Sequence, residues 1–280
     1  MNGTSRRLGP ALQRTLLYAT LVLLSILFLI PVIWITLCAL KDKTELVAWP
    51  PVILPTRVTL ENFTAALSKG SFGRYFFNSA YSTILSTILT LIINCMAGYA
   101  FAKFKFKGNQ ALFLSFLATL MIPLEVIMIP MFQMLKFFHM YNSLWGIIIP
   151  PAATPTGVFL MRQYLLSVPD ELLEAARMDG ASELRIFARI IVPIAKPVLS
   201  VLTIFSFMWR WNDFLWPLLV INNPKLYTVQ LAIANFSGQF SVDWNSLLAM
   251  AVVTMIPVLV IFLIFQKQFV RGMVISGMKE

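Results

Sequence analysis

The feature that most constrains this chain is the run from Thr15 to Leu40, which is 26 residues long and carries no charge. A helix rises 1.5 Å per residue, so the run spans the ~30 Å hydrocarbon core of a bilayer with length to spare. It is too long for the apolar region of a cleaved signal peptide and reads as a retained first span. Further apolar runs follow at Tyr75–Ala102, Gly108–Leu135 (broken by Glu125), Phe137–Met161 (with Pro150-Pro151 as an expected kink), Pro197–Asn222 (containing Arg210 and Asp213) and Trp244–Gln266. Charged residues make up 12% of the chain, about half the share usual in a soluble domain. The expected fold is therefore all-α, a polytopic membrane protein of six transmembrane helices. Its divisions are an N-terminal segment 1–14, a membrane domain 15–266 and a tail 267–280.

Orientation follows from the basic residues. With the N-terminus inside, the inner segments hold fourteen Lys and Arg and the outer segments seven. The tight turn "KFKFKG" (103–108) after the second run is the strongest single contribution. Both termini are expected in the cytoplasm. The net charge of +10 is spread between apolar runs and not gathered on one polar domain, which argues against nucleic acid as a partner. Cys38 and Cys95 lie in apolar runs, and no phosphate-binding loop of the Walker type occurs. No catalytic residue, metal site or cofactor site is expected in this chain.

The expected inner segment 167–197 is dense in acids and bases. "SVPDELLEAARMDG" has Ser167 three residues before Asp170 in a capping-box-like arrangement, with Pro169 in the expected first turn. The helix should stop at Asp179-Gly180, where glycine accepts a positive φ. "ASELRIFARII" restarts helix with Leu184, Phe187, Ala188 and Ile191 on one expected apolar face. The residues alone leave two readings open. One is a solvated elbow with an ordinary Glu174–Arg177 pair. The other is a docking knob in which Ala175, Ala176 and Gly180 admit another protein's surface while Glu174, Asp179, Arg185 and Arg189 supply polar contacts.

"EAARMDGASELRIFARIIVPIAKP" resembles the EAA loop of binding-protein-dependent ABC importer permeases, through Glu174, Ala175, Ala176, Gly180, Ile191 and Pro193 to Pro197. "MIPLEVIMIPMF", "FMWRWNDFLWPLL" and the tail "QKQFVRGMVISGMKE" extend the likeness over nearly the whole chain, toward the smaller permease subunit of the maltose-type sugar importers. The terminal "SGMKE" departs from the ending common among relatives. The resemblance implies a bacterial inner-membrane permease, not itself an enzyme, for a sugar, oligosaccharide or related polyol. It also implies as partners a second permease subunit, two ATPase subunits that bind ATP and magnesium, and an extracytoplasmic solute-binding protein, all assembled in membrane lipid. The EAA loop would then be the coupling helix that enters a cleft on an ATPase.

Arg210, Trp211, Asn212 and Asp213 lie ~20 Å along the fifth run from Pro197, in the expected outer half of the bilayer. An intramembrane charge is costly and must face protein or water. Arg210 and Asp213 are one turn apart, so they form either a packing pair or part of the solute path or outer gate. Trp209, Trp211 and Trp216 are candidates for stacking on a sugar or for interfacial anchoring. Glu125 and Asn94 are the other polar residues in otherwise apolar runs, and Glu125 serves either packing or a cavity wall. The outer segment with Asn235, Phe236, Ser237 and Gly238 is a candidate contact for the binding protein. Two other readings remain: a permease for a non-sugar solute such as a polyol phosphate, and an ion-coupled secondary transporter. The latter needs inverted repeats, and no convincing internal repeat is present.

Overall fold

A computed structural model describes residues 9–68, 71–234 and 242–277. The described residues are helical, with no strand among them. Packing divides the chain into two units, residues 1–69 with 236–253 and residues 70–235 with 254–280.

In the first unit, α1 (Pro10–Ala39) is one 30-residue helix. Its leucines, isoleucines and valines are exposed on every side through most of its length, as suits a helix meeting lipid all round. Its end is fixed by polar groups. The Asn62 side-chain amide donates to the carbonyls of Ala39 (2.8 Å) and Lys41 (2.6 Å), and Asn245 donates to the Asn62 side-chain oxygen at 3.2 Å. Buried Lys41 donates to the Val52 carbonyl and sits 4.5 Å from the Trp34 ring centre.

The second unit is organised around α2 (Phe72–Lys103). Asn78, Ser82, Ser86, Thr90 and Asn94 recur every fourth residue and are all buried, whereas Phe77, Tyr81, Ile84, Ile88 and Ile92 are exposed. The four-residue spacing puts the polar set on one face. The helix is amphipathic in the inverted sense, with polar groups inward and apolar groups outward. Against it packs α5 (Pro155–Leu166). A Cβ on Gly98 would lie 2.4 Å from the Met161 Cβ, and one on Gly157 would lie 2.1 Å from the Asn94 amide nitrogen. These two glycines set the close approach, a common device between membrane helices.

The third and fourth apolar runs are not continuous helices. The third is α3 (Asn109–Ala118), a 3-10 turn at Thr119–Met121, and α4 (Leu124–Phe137), with a bend of 106°. Pro123 forces the preceding Ile122 into an extended conformation (φ −89°, ψ 120°) and breaks the helix there. In the fourth run, Pro150–Ala152 is a 3-10 turn between a short helix at Trp145–Ile148 and α5, an interruption and not a kink. The fifth run is helical as α7 (Lys196–Trp211), stops at Asn212 and resumes as α8 (Leu215–Val220). The last helix, α9, runs Trp244–Gly277, past the expected end at Gln266. Three helices among the described residues are long and apolar enough to span a membrane, and up to five if each bent pair is one span.

Candidate functional sites: the 167–197 loop and a polar cavity

Within the loop, α6 (Glu171–Met178) is followed by helical turns at Glu183–Ile194. Asp170 occupies the N-cap position without a side-chain cap bond, and Pro169 precedes the helix. Ser167 donates its hydroxyl back to the Tyr164 carbonyl (2.7 Å), closing α5 and leaving the expected capping box unformed. The predicted stop is present. Gly180 has φ +74°, its N–H donates to the Arg177 carbonyl, and the Ala181 N–H donates to the Ala176 carbonyl, each at 3.0 Å. These two bonds close the helix C-terminus in the Schellman pattern.

Of the apolar face expected at Leu184, Phe187, Ala188 and Ile191, Ile191 is fully buried and Phe187 packs against the core, whereas Leu184 and Ala188 are exposed. Phe187–Ile191 forms a π-helical turn, and the Val192 N–H reaches five residues back to the Phe187 carbonyl. Pro193 has no N–H to continue the ordinary ladder. Residues five apart therefore share a face: Ile186 and Ile191 are fully buried while Leu184 is 73% exposed. With Leu173 they join a core containing Cys95 and Tyr99 of α2, Met161 and Leu165 of α5, and Val198 and Leu202 of α7. The loop is thus part of the unit's hydrophobic core and not a solvated elbow.

Polar ties reinforce that core. Lys103 at the end of α2 donates to the Asp170 carboxylate (2.6 Å) and the Val168 carbonyl (2.5 Å). The Tyr99 hydroxyl donates to Glu183 (3.0 Å), and Tyr164 donates to the Ile194 carbonyl (3.0 Å). Arg177 pairs with Glu183 at 2.7 Å and not with Glu174. The Lys103 ammonium holds the Asp170 carboxyl below its ordinary value of 3.8, through the hydrogen bond first and the charge second. At Ala195 the chain turns 78° into α7.

Of the sequence-selected docking residues only Ala176 packs against this core. Glu174, Ala175, Asp179, Gly180, Arg185 and Arg189 are exposed, and Ala176 is half-buried. No atom lies within 4 Å of a Cβ built on Gly180. Exposed Met178 and Leu184 flank them. The loop has one face in the core and another open.

The polar stripe of α2 faces a cavity of about 340 Å³. Ser82, Thr83 and Ser86 line one wall; Pro151 and Thr154 contribute from the broken fourth run, Trp209 and Arg210 from the end of α7, and Asp213 from just beyond it. A smaller cavity of about 140 Å³ shares Thr154 and Trp209. Arg210 is bound to protein oxygens: Nε donates to Ser86 Oγ (2.6 Å), Nη1 to the Ser206 carbonyl (3.0 Å), and Nη2 to Thr90 and the Pro151 carbonyl. The ion pairs found among the described residues do not include Arg210 with Asp213. Asp213 accepts the Trp216 N–H at 3.3 Å. The expected packing pair is replaced by a guanidinium pinned to α2, because hydroxyls and carbonyls at that depth meet its fork of donors.

The tryptophans separate. Trp211 is buried, stacked on Phe207 (5.7 Å between ring centres), and donates to the Thr254 carbonyl; Trp216 is buried and donates to the Gly146 carbonyl. Trp209 alone of the three lines the cavity. Asn212 is exposed, bonded to the Met208 carbonyl and to Gln230. Glu125 is exposed in the first turn of α4 and is not among the residues lining the cavity. Asn235, Phe236, Ser237 and Gly238 lie outside the described residues.

Residues 94–275 match the model of the family described as binding-protein-dependent transport system inner membrane component. The chain belongs to this family. It is a multi-pass membrane permease and not itself an enzyme. Among permeases of known systems it is 36% identical to the arabinooligosaccharides transport system permease protein AraQ of Bacillus subtilis, over 92% of this chain and 93% of that one. It is 34% identical to the sn-glycerol-3-phosphate transport system permease protein UgpE of Escherichia coli, over 94% and 96%. A chain in the crystal structure of a bacterial ABC transporter involved in the import of the acidic polysaccharide alginate superposes with a TM-score of 0.82 at 23% identity, covering 95% of this chain and all of that one.

For such a permease the hydroxyl stripe of α2 is the feature that sequence reading missed. Asn94 stood out in an otherwise apolar run, but not the repeat that Asn78, Ser82, Ser86, Thr90 and Asn94 make at i, i+4, i+8, i+12 and i+16. That spacing was the available signal.

Proposed function

We propose that this permease carries a neutral sugar or oligosaccharide, driven by ATP that partner chains hydrolyse, and that the cavity is its contribution to the solute path. The observation that carries the solute class is the state of Arg210. Four hydrogen bonds to protein oxygens occupy its guanidinium, which has five N–H donors in all. A charged phosphate or uronate entering the cavity would meet the Asp213 carboxylate, and Arg210, though charged, has one N–H left over from its protein bonds to offer it. A neutral polyol finds hydroxyls, a carboxylate that accepts its O–H groups, and the exposed Trp209 ring. The similarity to an arabino-oligosaccharide permease supports the same class.

The partners on this reading are a second homologous permease, which closes the path, an extracytoplasmic binding protein, and two ATPase subunits that hold ATP and magnesium. The open face of the 167–197 loop, with Glu174, Gly180, Arg185 and Arg189, docks on an ATPase. The distribution of Lys and Arg supports a cytoplasmic position for this loop and both termini, in a bacterial inner membrane. Because Leu173, Ile186 and Ile191 are packed into the same core as α2, α5 and α7, a displacement of the loop is carried to the helices that bound the cavity.

The test is uptake by proteoliposomes containing the purified complex, with labelled neutral oligosaccharides, glycerol phosphate and alginate oligomers offered in parallel. Uptake of a neutral oligosaccharide that requires both ATP and the binding protein is the expected result. Uptake driven by an ion gradient without ATP contradicts the proposal, and a preference for the phosphorylated or acidic solutes contradicts the assigned class.

A further inference from the structure

A second hollow, of about 690 Å³, opens at the other end of α2 between the turn at 104–108, the start of α3 and the end of α5. Lys105, Lys107 and Arg162 line it, and no acidic side chain does. Lys103, two residues earlier, pairs with Asp170, and Lys105 also acts on that carboxylate through its charge; Lys105 and Lys107 are exposed and are in none of the ion pairs found among the described residues. Arg162 is held in place by an Nε–H bond to the Phe101 carbonyl (3.4 Å) and by its guanidinium lying 4.3 Å from the Phe113 ring centre. Its two terminal nitrogens make no hydrogen bond to the described residues. Phe101 also packs on Phe113 and Phe106, at 5.5 and 6.3 Å between ring centres, so the aromatic floor under the cations is continuous.

The setting says what such a hollow takes. Helix α2 is one of the membrane-spanning helices, so the turn that follows Lys103 lies where the chain leaves the apolar layer. Phe104 and Phe106 expose 37% and 42% of their surface there, as aromatic rings at the level of the headgroups do. We infer that this hollow binds the phosphate headgroup of an anionic phospholipid, with Lys105, Lys107 and Arg162 around the phosphate and Phe104 and Phe106 beside the glycerol and first methylenes. Basic pockets between membrane helices bind acidic headgroups by this combination of charge and interfacial position. The exposed rings favour a lipid over a free anion, which would gain nothing from them. The inference does not depend on which solute the permease carries.

The test is native mass spectrometry of the intact complex titrated with phosphatidylglycerol or phosphatidylcholine. Wild type is compared with Lys105→Gln/Lys107→Gln, and with Lys43→Gln/Lys225→Gln, which removes equal charge from exposed positions elsewhere. Each lost cation is expected to weaken phosphatidylglycerol binding about fivefold. The control variant and phosphatidylcholine should show no such change, and Lys105→Arg/Lys107→Arg should retain wild-type binding. Three results would overturn the inference. One is equal phosphatidylglycerol binding by the hollow and control variants. Another is displacement of the lipid by inorganic phosphate at comparable concentration, which would make this a plain anion site. The third is loss of an ATPase chain with lipid retained, which would make it a protein-docking surface.

Discussion

Arg210 Nε donates to Ser86 Oγ at 2.6 Å, joining the end of α7 to the polar stripe of α2 across 124 positions of sequence. This bond and its neighbours to Thr90, Ser206 and Pro151 make Arg210 a cross-brace of the cavity wall. Removing the guanidinium leaves several acceptors at membrane depth without donors. Arg210→Ala is expected to destabilise the purified complex by about 3 kcal/mol. Arg210→Lys should rescue little of it, because an ammonium is a point charge and cannot span the same acceptors. Thermal unfolding in detergent measures both.

Asp213 gives the opposite pattern. It is not paired with Arg210, so Asp213→Asn keeps the Arg210 network and is expected to change stability by less than about 1 kcal/mol. Solute uptake should nonetheless fall, since the carboxylate lines the cavity. An Asp213→Ala/Arg210→Ala double variant should be no more stable than Arg210→Ala alone. Recovery in the double variant would restore the pairing idea.

The tryptophans divide into packing and lining groups. Trp211→Ala removes a buried ring with a satisfied N–H and is expected to cost about 3–5 kcal/mol. Trp209→Ala removes a ring that is 59% exposed and should leave the unfolding temperature within a few degrees while lowering uptake at low solute concentration. Uptake titrations on folded protein separate the two.

The tie between Lys103 and Asp170 has a defined pH range. The Asp170 carboxyl is held below its ordinary value, so the contribution of the tie is present above pH 3.8 and is lost only as pH falls through the depressed value. The ratio of solute moved to ATP hydrolysed is therefore expected to show no titration from Asp170 between pH 5 and 8. Lys103→Met should lower that ratio throughout the range, because it removes one of the polar ties between the loop and α2. A midpoint near pH 6 that disappears in Lys103→Met would count against this assignment.

Much of the architecture was legible in the sequence. The uncharged run from Thr15 to Leu40 became an unbroken helix, and Asp179-Gly180 ended α6 with the positive φ expected of that glycine. The failures have specific causes. Hydropathy treats Ser and Thr as nearly neutral, so the buried stripe from Asn78 to Asn94 was invisible to a count of charges. Ile122-Pro123 broke a run that composition alone reads as one span. Periodicity of 3.6 placed Leu184 inward, whereas the π-turn before Pro193 advances the register and turns Ile186 inward instead. The Arg210–Asp213 spacing suited a pair, yet hydroxyls 120 and 124 positions away and a carbonyl 59 away supplied better geometry. Sequence neighbours were visible; long-range acceptors were not.

The most direct test of the account is purification in mild detergent of the tagged chain with its partners, wild type beside Gly180→Trp, with mass spectrometry of what remains bound. A non-glycine residue at φ +74° costs about 1–2 kcal/mol, and among the described residues the space at the Gly180 Cβ position is open. The variant is therefore expected to fold, insert and retain the second permease while losing the ATPase subunits. Retention of the ATPase subunits together with normal uptake by Gly180→Trp would contradict the claim that the open face of the 167–197 loop is where ATP hydrolysis is coupled to transport.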